Sequence, residues 1–201
     1  MRYLRIQMTG AIHGLVLAGG RSSRMGEEKG LIKYHGVAQY IYVMQLLRNY
    51  CSSVYLGCRE EQVPLYPDVD IIQDAEAYAG HGPISGILSA FQHKSGPWLV
   101  VACDYPYIAQ SDITHLLQQR KMEKKATAYI NPETKIAEPL IAIYENNSAR
   151  ELQQNFMNGE YSLRRYLEES DTAWIAPHNL IALKSVDSEE EKRKVQIFFS
   201  H

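Results

Sequence analysis

The chain of 201 residues contains only three cysteines, Cys51, Cys58 and Cys103, and none of them forms a Cys-x-x-Cys pair. So scattered and odd a set supports neither a disulfide scaffold nor a zinc knuckle, and it fits a reducing cytosol. The seven histidines make no His-Glu-x-x-His motif and no cluster, so no structural metal is expected. No apolar run reaches the roughly 18 residues of a membrane span. The first dozen residues lack the apolar core and small-residue cleavage site of a signal peptide. Neither sign of charge dominates. A net charge of −2 argues against a broad basic face for nucleic acid or an anionic membrane, so any phosphate-binding charge must be local. Two familiar nucleotide loops are missing as well. No Gly-Lys-Ser/Thr closes a Walker A loop, and Gly80-x-Gly82-x-x-x-Gly86 has no strand immediately before it, as a nicotinamide loop requires.

What is present is an alternation of strand and helix. Ile12 to Ala18 reads as a short buried strand ending in glycines. Val37, Ile41, Met44 and Leu47 recur at helical spacing over 37–50. Val54 to Leu56 and Val69 to Ile72 read as strands, and Pro83 opens a helix at its first position. Trp98 to Cys103 is a continuous apolar run, the pattern of a central parallel strand covered on both faces. Beyond about Gln119 the pattern loosens. Strands are expected at 126–130 and 140–144, helices at 148–157 and 162–168, and a charged helix from about Ser188. This predicts an α/β chain: one domain over 1–201, a mostly parallel Rossmann-like sheet with helices on both faces. Residues 1–11 precede it as an extension, where flexibility is expected.

In such a sheet ligands bind outside the carboxyl ends of the strands. The segment Gly19-Gly20-Arg21-Ser22-Ser23-Arg24-Met25-Gly26 follows the first strand directly. Its glycines let backbone N–H groups turn toward an anion, and Arg21, Arg24 and Lys29 add positive charge to cradle a triphosphate. For glycine and arginine alone, a solvated turn explains the composition equally well. Asp104 ends the Trp98–Cys103 run, where one carboxylate suffices to begin a Mg²⁺ site; a turn or capping aspartate is the other reading. Asp74 stands at the end of the 70–73 strand, before Gly82. Taken by itself, that position reads as a solvated strand end. Asp187 or Ser188 reads as the cap of the helix that starts there.

Leu17-Ala18-Gly19-Gly20-Arg21-Ser22-Ser23-Arg24-Met25-Gly26 with Lys29 resembles the signature of the molybdenum cofactor guanylyltransferases, the MobA-like branch of the nucleotidyltransferases. Cys103-Asp104-Tyr105-Pro106 is similar to that family's Cys-Asp-x-Pro. Asp74 followed by Gly82-Pro83-Ile84-Ser85-Gly86 is similar to its Asp and Gly-Pro-Leu-x-Gly. Ala137-Glu138-Pro139-Leu140-Ile141-Ala142-Ile143-Tyr144 resembles its Pro-Glu-Pro-Leu-x-Ala-x-Tyr, and Gly159-x-x-Ser162-Leu163-Arg164 a later segment on the pterin side. The resemblance implies the nucleotide-diphospho-sugar transferase fold. It further implies Lys29, Asp104 and Arg24 as catalytic residues, and a nucleotide bound by Leu17, Ala18, Gly19, Gly20, Arg21, Lys29, Asp74, Gly82 and Asp104. Mg²⁺ would lie on Asp104 and Asp187. Two departures stand out. Ser185 and Asp187 occupy the places of two asparagines, and Leu56-Gly57-Cys58-Arg59 lacks an asparagine often found near the base.

The implied reaction is transfer of GMP from GTP to a molybdenum-bound pterin phosphate, in the cytoplasm. Proteins that deliver or receive the molybdenum cofactor are the implied partners, with no nucleic acid and no membrane. The two departures keep open another nucleotide, such as CTP, with another phosphorylated acceptor. A nucleotide-binding regulator without catalysis is the third possibility, and intact Lys29 and Asp104 argue against it.

Overall fold

A computed structural model describes residues 11–18 and 28–199 of the chain. In order, the elements are β1 (His13–Leu17), α1 (Gln39–Arg48), β2 (Ser53–Cys58), β3 (Ile71–Gln73), α2 (Pro83–His93), β4 (Trp98–Ala102) and α3 (Gln110–Gln118). There follow β5 (Ala126–Ile130), β6 (Ala137–Tyr144), α4 (Ala149–Met157), α5 (Leu163–Glu169), β7 (Thr172–Ile175) and α6 (Glu189–Phe199). The seven strands form one sheet in the order β3-β2-β1-β4-β6-β5-β7. β1 pairs parallel with β2 on one side and β4 on the other, while β6 runs antiparallel to both β4 and β5.

The expectation of a mostly parallel α/β sheet therefore holds, with one difference. Trp98 to Cys103, read as a central parallel strand, forms β4 over Trp98–Ala102 and has a parallel neighbour on one side only. Every residue of β4 is buried, and α1 and α2 pack on opposite faces of the adjoining β1, whichever way the other neighbour runs. A continuous apolar run reports that burial and says nothing of direction. β6 also starts earlier than its apolar run suggested. Pro139 lies within it, where the pairing slips between Ala128 and Tyr129, an irregularity that tolerates a missing N–H.

Alternate residues of β1 serve opposite faces. A side chain at Gly14 would meet Leu47 of α1, whereas Leu17 packs against the first turn of α2. At Gly86 an added Cβ would lie 2.6 Å from Leu17 Cδ2, so α2 approaches the strand end as closely as it does only because residue 86 has no side chain. Gly82, which precedes α2, has φ of 77°, a conformation natural to glycine. These two glycines seat the start of α2 on the carboxyl end of β1.

The main core runs the length of the sheet. A second, smaller cluster joins Ile32, Tyr34, Val186 and Val195, with Tyr107 and Phe199 against it. This cluster attaches α6 beside the carboxyl end of β4. Burial of two valines at about 25 cal/mol per Å² of apolar surface is a modest anchor.

Candidate active site

After β1 the chain moves outward through β2 to β3, then returns across β1 to β4. The strand order reverses between β1 and β4, and a crevice opens at their carboxyl ends. Leu17 O accepts a hydrogen bond from Cys103 N at 3.0 Å, and Ala18 N donates to Gly57 O at 3.0 Å. Residues 17–18 and 103–104 are thereby fixed side by side. They line an open cleft of about 390 Å³ together with Lys29, Pro83, Ala102 and Leu140.

Three charged groups meet there. Lys29 Nζ lies 2.5 Å from Asp187 Oδ1 and 3.9 Å from Asp104 Oδ2. Asp104 O accepts from Val186 N at 2.9 Å, which draws the 185–187 stretch against the end of β4. Ser185 Oγ donates to Asp187 Oδ2 at 3.1 Å. The Asp104 side chain as a whole is 23% exposed, yet its Oδ1 is buried and has no hydrogen-bond partner among the described residues. Burial pushes the Asp104 carboxyl up to about 6; Lys29 opposes that rise and Asp187 adds to it. A buried carboxylate oxygen without a partner is unfavourable unless something positive meets it. Two carboxylates around one cleft suit Mg²⁺, which takes one or two such ligands and fills the rest of its shell with water and phosphate oxygens. The residues present fit that ion. Among the described residues no three His, Cys, Asp or Glu side chains gather as a fuller metal site.

The two readings of the 187–188 pair separate in space. Ser188 Oγ accepts from Glu191 N at 3.3 Å, and Glu191 Oε2 accepts from Asp187 N at 2.9 Å. Ser188 thus caps the start of α6, and Glu191 reaches back one residue further, to Asp187 N. Ser188 and Glu191 thereby serve the start of α6, while the Asp187 carboxylate meets Lys29 and Ser185.

A second pocket of about 230 Å³ adjoins the first, sharing Leu17 and Pro83 with it. It is lined further by Gly57, Cys58, Arg59, Gln62, Asp74, Gly82 and Gly86. Asp74 N donates to Cys58 O at 2.9 Å, so the β2–β3 ladder carries Asp74 to the rim. Burial raises its carboxyl to about 6, Arg59 opposes, and Glu61 reinforces. Leu56 is fully buried in the core. Gly57, Cys58 and Arg59, rather than Leu56, are the residues of that stretch that face the pocket.

Leu17, Ala18, Lys29, Asp74, Gly82 and Asp104 thus line two adjoining pockets, and Asp187 joins them through Lys29. Gly19, Gly20, Arg21 and Arg24 lie outside the described residues. Sequence reasoning missed Gln62, Glu28 and the pair Tyr105–Glu138. Gln62, 1% exposed, accepts at Oε1 from Arg59 N at 3.1 Å and donates from Nε2 to Glu28 Oε2 at 2.7 Å. Its only sequence signal is a position three residues into a turn, from which it reaches back to the turn's first N–H. Tyr105 Oη donates to Glu138 Oε2 at 2.9 Å, joining the end of β4 to β6. On the second-substrate side, Arg165 is engaged locally by Glu160 and Glu169. Arg164 Nε donates to Ala137 O at 3.4 Å. Cys103 is buried, and desolvation pushes its thiol far up, which suits packing and not redox work.

Comparison with known proteins agrees with this arrangement. The family model described as MobA-like NTP transferase domain matches residues 14–173. A molybdenum cofactor biosynthesis bifunctional protein of Synechocystis sp. is 33% identical over 184 residues, covering 90% of this chain and 52% of that protein. The chain spans about half the length of that relative. A probable molybdenum cofactor guanylyltransferase of Bacillus cereus is 29% identical over 173 residues, covering 84% of this chain and 86% of its own length. Among solved structures, molybdopterin-guanine dinucleotide biosynthesis protein A from Archaeoglobus fulgidus superposes with a TM-score of 0.77 at 22% identity, over 94% of this chain and 98% of its own. The 2-C-methyl-D-erythritol 4-phosphate cytidylyltransferase from Thermus thermophilus gives 0.68 at 11% identity, over 96% and 100%. At such identities the structural likeness speaks for the fold alone, which is the nucleotide-diphospho-sugar transferase type.

Proposed function

This chain belongs to the MobA-like NTP transferase family, and from that premise we propose that it transfers GMP from GTP to the phosphate of a molybdenum-bound pterin, releasing pyrophosphate. It is a nucleotidyltransferase, of a family that generally uses a divalent metal; the nucleotide, the acceptor and magnesium are the finer points proposed. The observation that carries the reading is the meeting of Lys29, Asp104 and Asp187 at the strand-order reversal, with Asp104 Oδ1 buried and unpartnered among the described residues.

The acceptor phosphate is already anionic, so the task is to align it with the α-phosphate and offset the charge that builds on the leaving pyrophosphate. Lys29, held between two carboxylates, is a fixed positive charge where the phosphates arrive. Asp104 and Asp187 would hold Mg²⁺, which supplies Lewis-acid polarisation of the phosphoryl oxygens when bound. Leu17 and Ala18 form the floor between base and phosphates. Gly19, Gly20, Arg21 and Arg24 are assigned to the phosphates on the resemblance of their sequence, and Asp74 and Gly82 to the base side. The second substrate would enter from the β6 side, by Leu140. The reading extends to one catalytic domain acting in the cytosol, with proteins that deliver or receive the molybdenum cofactor as partners.

Calorimetric titration with GTP, CTP, UTP and ATP in the presence of magnesium tests this, on the wild type and on Asp104→Ala. Selective GTP binding that weakens in the variant supports it. Preference for CTP or UTP would sink the guanylyl reading and favour another phosphorylated acceptor. GTP binding without pyrophosphate release in the presence of the authentic acceptor would make the chain a regulator.

A further inference from the structure

Arg59 and Asp74 carry opposite charges into the same small pocket, yet no ion pair within 4 Å joins them among the described residues. Arg59 is held from behind. Gln62 Oε1 accepts from its Nε at 3.2 Å as well as from its N. Glu61 Oε1 lies 3.1 Å from Nε, and Glu28 Oε1 3.9 Å from Nη2. Gln62, fully buried, is itself fixed by Glu28. Hydrogen bonds to described residues use only the Nε edge of the guanidinium. Apart from that long Nη2–Glu28 ion pair the terminal nitrogens have no partner among the described residues, and as donors they complement Asp74, a lining carboxylate of the same pocket that only accepts.

We infer that Arg59 is a specificity-determining residue, its guanidinium reading the O6 and N7 acceptors of a guanine whose N1–H and 2-amino donors face Asp74. The inference rests on the guanylyl reading and deepens it. An acceptor pair beside a donor pair, on adjoining edges of one base, belongs to guanine alone among the four nucleobases. Adenine would turn its 6-amino donor toward the guanidinium and its N1 acceptor toward the carboxylate. Cytosine likewise offers an amine and no ring N–H. Uracil, with O4 beside N3–H, makes one bond to each side, so the ranking follows as GTP, then UTP, then ATP and CTP. Arginine is the usual bidentate reader of the guanine O6/N7 edge. It occupies the region where the Leu56 departure left base recognition without an asparagine. Glu28 is bonded to Lys29 in the chain, so the Gln62–Glu28 link fixes the base reader relative to the phosphate-binding lysine.

The experiment compares GTP, 7-deaza-GTP and ITP, all with magnesium, on the wild type, Arg59→Gln and Arg59→Lys, by calorimetry. The wild type is expected to bind 7-deaza-GTP about tenfold or more weaker than GTP, the loss of a charge-assisted hydrogen bond. In Arg59→Gln that ratio should fall to near one. Arg59→Lys, which keeps the charge without the fork, should recover little of it. ITP, which lacks the 2-amino group, should be penalised equally in all three proteins, because that contact belongs to Asp74. Equal binding of GTP and 7-deaza-GTP by the wild type overturns the inference without requiring any variant to fold. So does an unchanged ratio in Arg59→Gln, while GTP preference over CTP, UTP and ATP leaves the guanylyl reading standing. If the wild type shows no preference for GTP, both fall together.

Discussion

At the scale of single residues, Asp104 shows a cost accepted for chemistry. Its carboxyl titrates near 6 in the fold against an ordinary 3.8, so the folded chain holds that proton more tightly than the unfolded one. The sign follows: the ionised group destabilises the fold, fully above pH 6 and not at all below the unfolded value. Asp104→Asn should therefore raise stability at pH 8 by about 1–3 kcal/mol and leave it unchanged at pH 3.5, while transfer activity falls by about a hundredfold or more. Thermal melts at the two pH values check the first part, and pyrophosphate release the second. A variant no more stable at pH 8 would mean that the buried oxygen is not strained by its surroundings. Asp74 gives a matching prediction for binding. Its carboxyl, also near 6, accepts from guanine only when ionised. GTP affinity should drop by about tenfold between pH 7 and pH 5, and Asp74→Asn should bind weakly with little of that pH dependence. These two aspartates stood out in the sequence because each ends a predicted strand inside a motif that resembles the family's; position alone read equally as a cap or a solvated strand end. The buried oxygen of Asp104 and the buried Gln62 were not legible there, since both depend on contacts between segments far apart in the chain.

At the scale of elements, α6 is the piece whose role the sequence left undecided. A serine and an aspartate before a charged helix read equally as cap and as ligand; only the structure divides the tasks, giving Ser188 the helix and Asp187 the lysine. α6 reaches the site through its own small cluster and not through the main core. A defect there should loosen the 186–199 segment locally before it melts the sheet. Val195→Ala should destabilise that segment by about 1–2 kcal/mol, raising the magnesium concentration needed for half-maximal activity and speeding amide exchange over 186–199, with the main melting transition little changed. A wild-type magnesium requirement in that variant would remove Asp187 positioning from the role of α6. Other elements show why legibility varies. α2 was readable because Pro83 marks its first turn and apolar residues recur at helical spacing. β7, four residues with one fully buried, has too little pattern to separate from a loop. The direction of β6 was hidden because burial on both faces erases the alternation that would betray it.

At the scale of the whole molecule, the site belongs to no single segment. Leu17, Lys29, Asp104, Leu140 and Asp187 come from separate parts of the chain and meet only because the sheet reverses its strand order between β1 and β4. The alternation of strand and helix predicted that such a crevice exists, and the resemblance predicted which residues face it; the pairing of base pocket and phosphate cleft across Leu17 and Pro83 needed the folded chain. A ligand that bridges segments of the folded state and finds no such site in the unfolded state must stabilise the whole cooperative unit. With magnesium present and GTP at about a hundred times its dissociation constant, the gain is about 2.7 kcal/mol, a rise in melting temperature of roughly 5–10 °C for a chain of this size. The same concentration of CTP should give little. Lys29→Ala and Asp104→Ala should each lose most of the shift while keeping their own cooperative melts, because each removes a contact to the phosphates or the metal and not a piece of the core. A shift of equal size with CTP would contradict the base assignment. A full GTP shift in both variants would place the nucleotide away from the cleft between β1 and β4, and with it the chemistry proposed there.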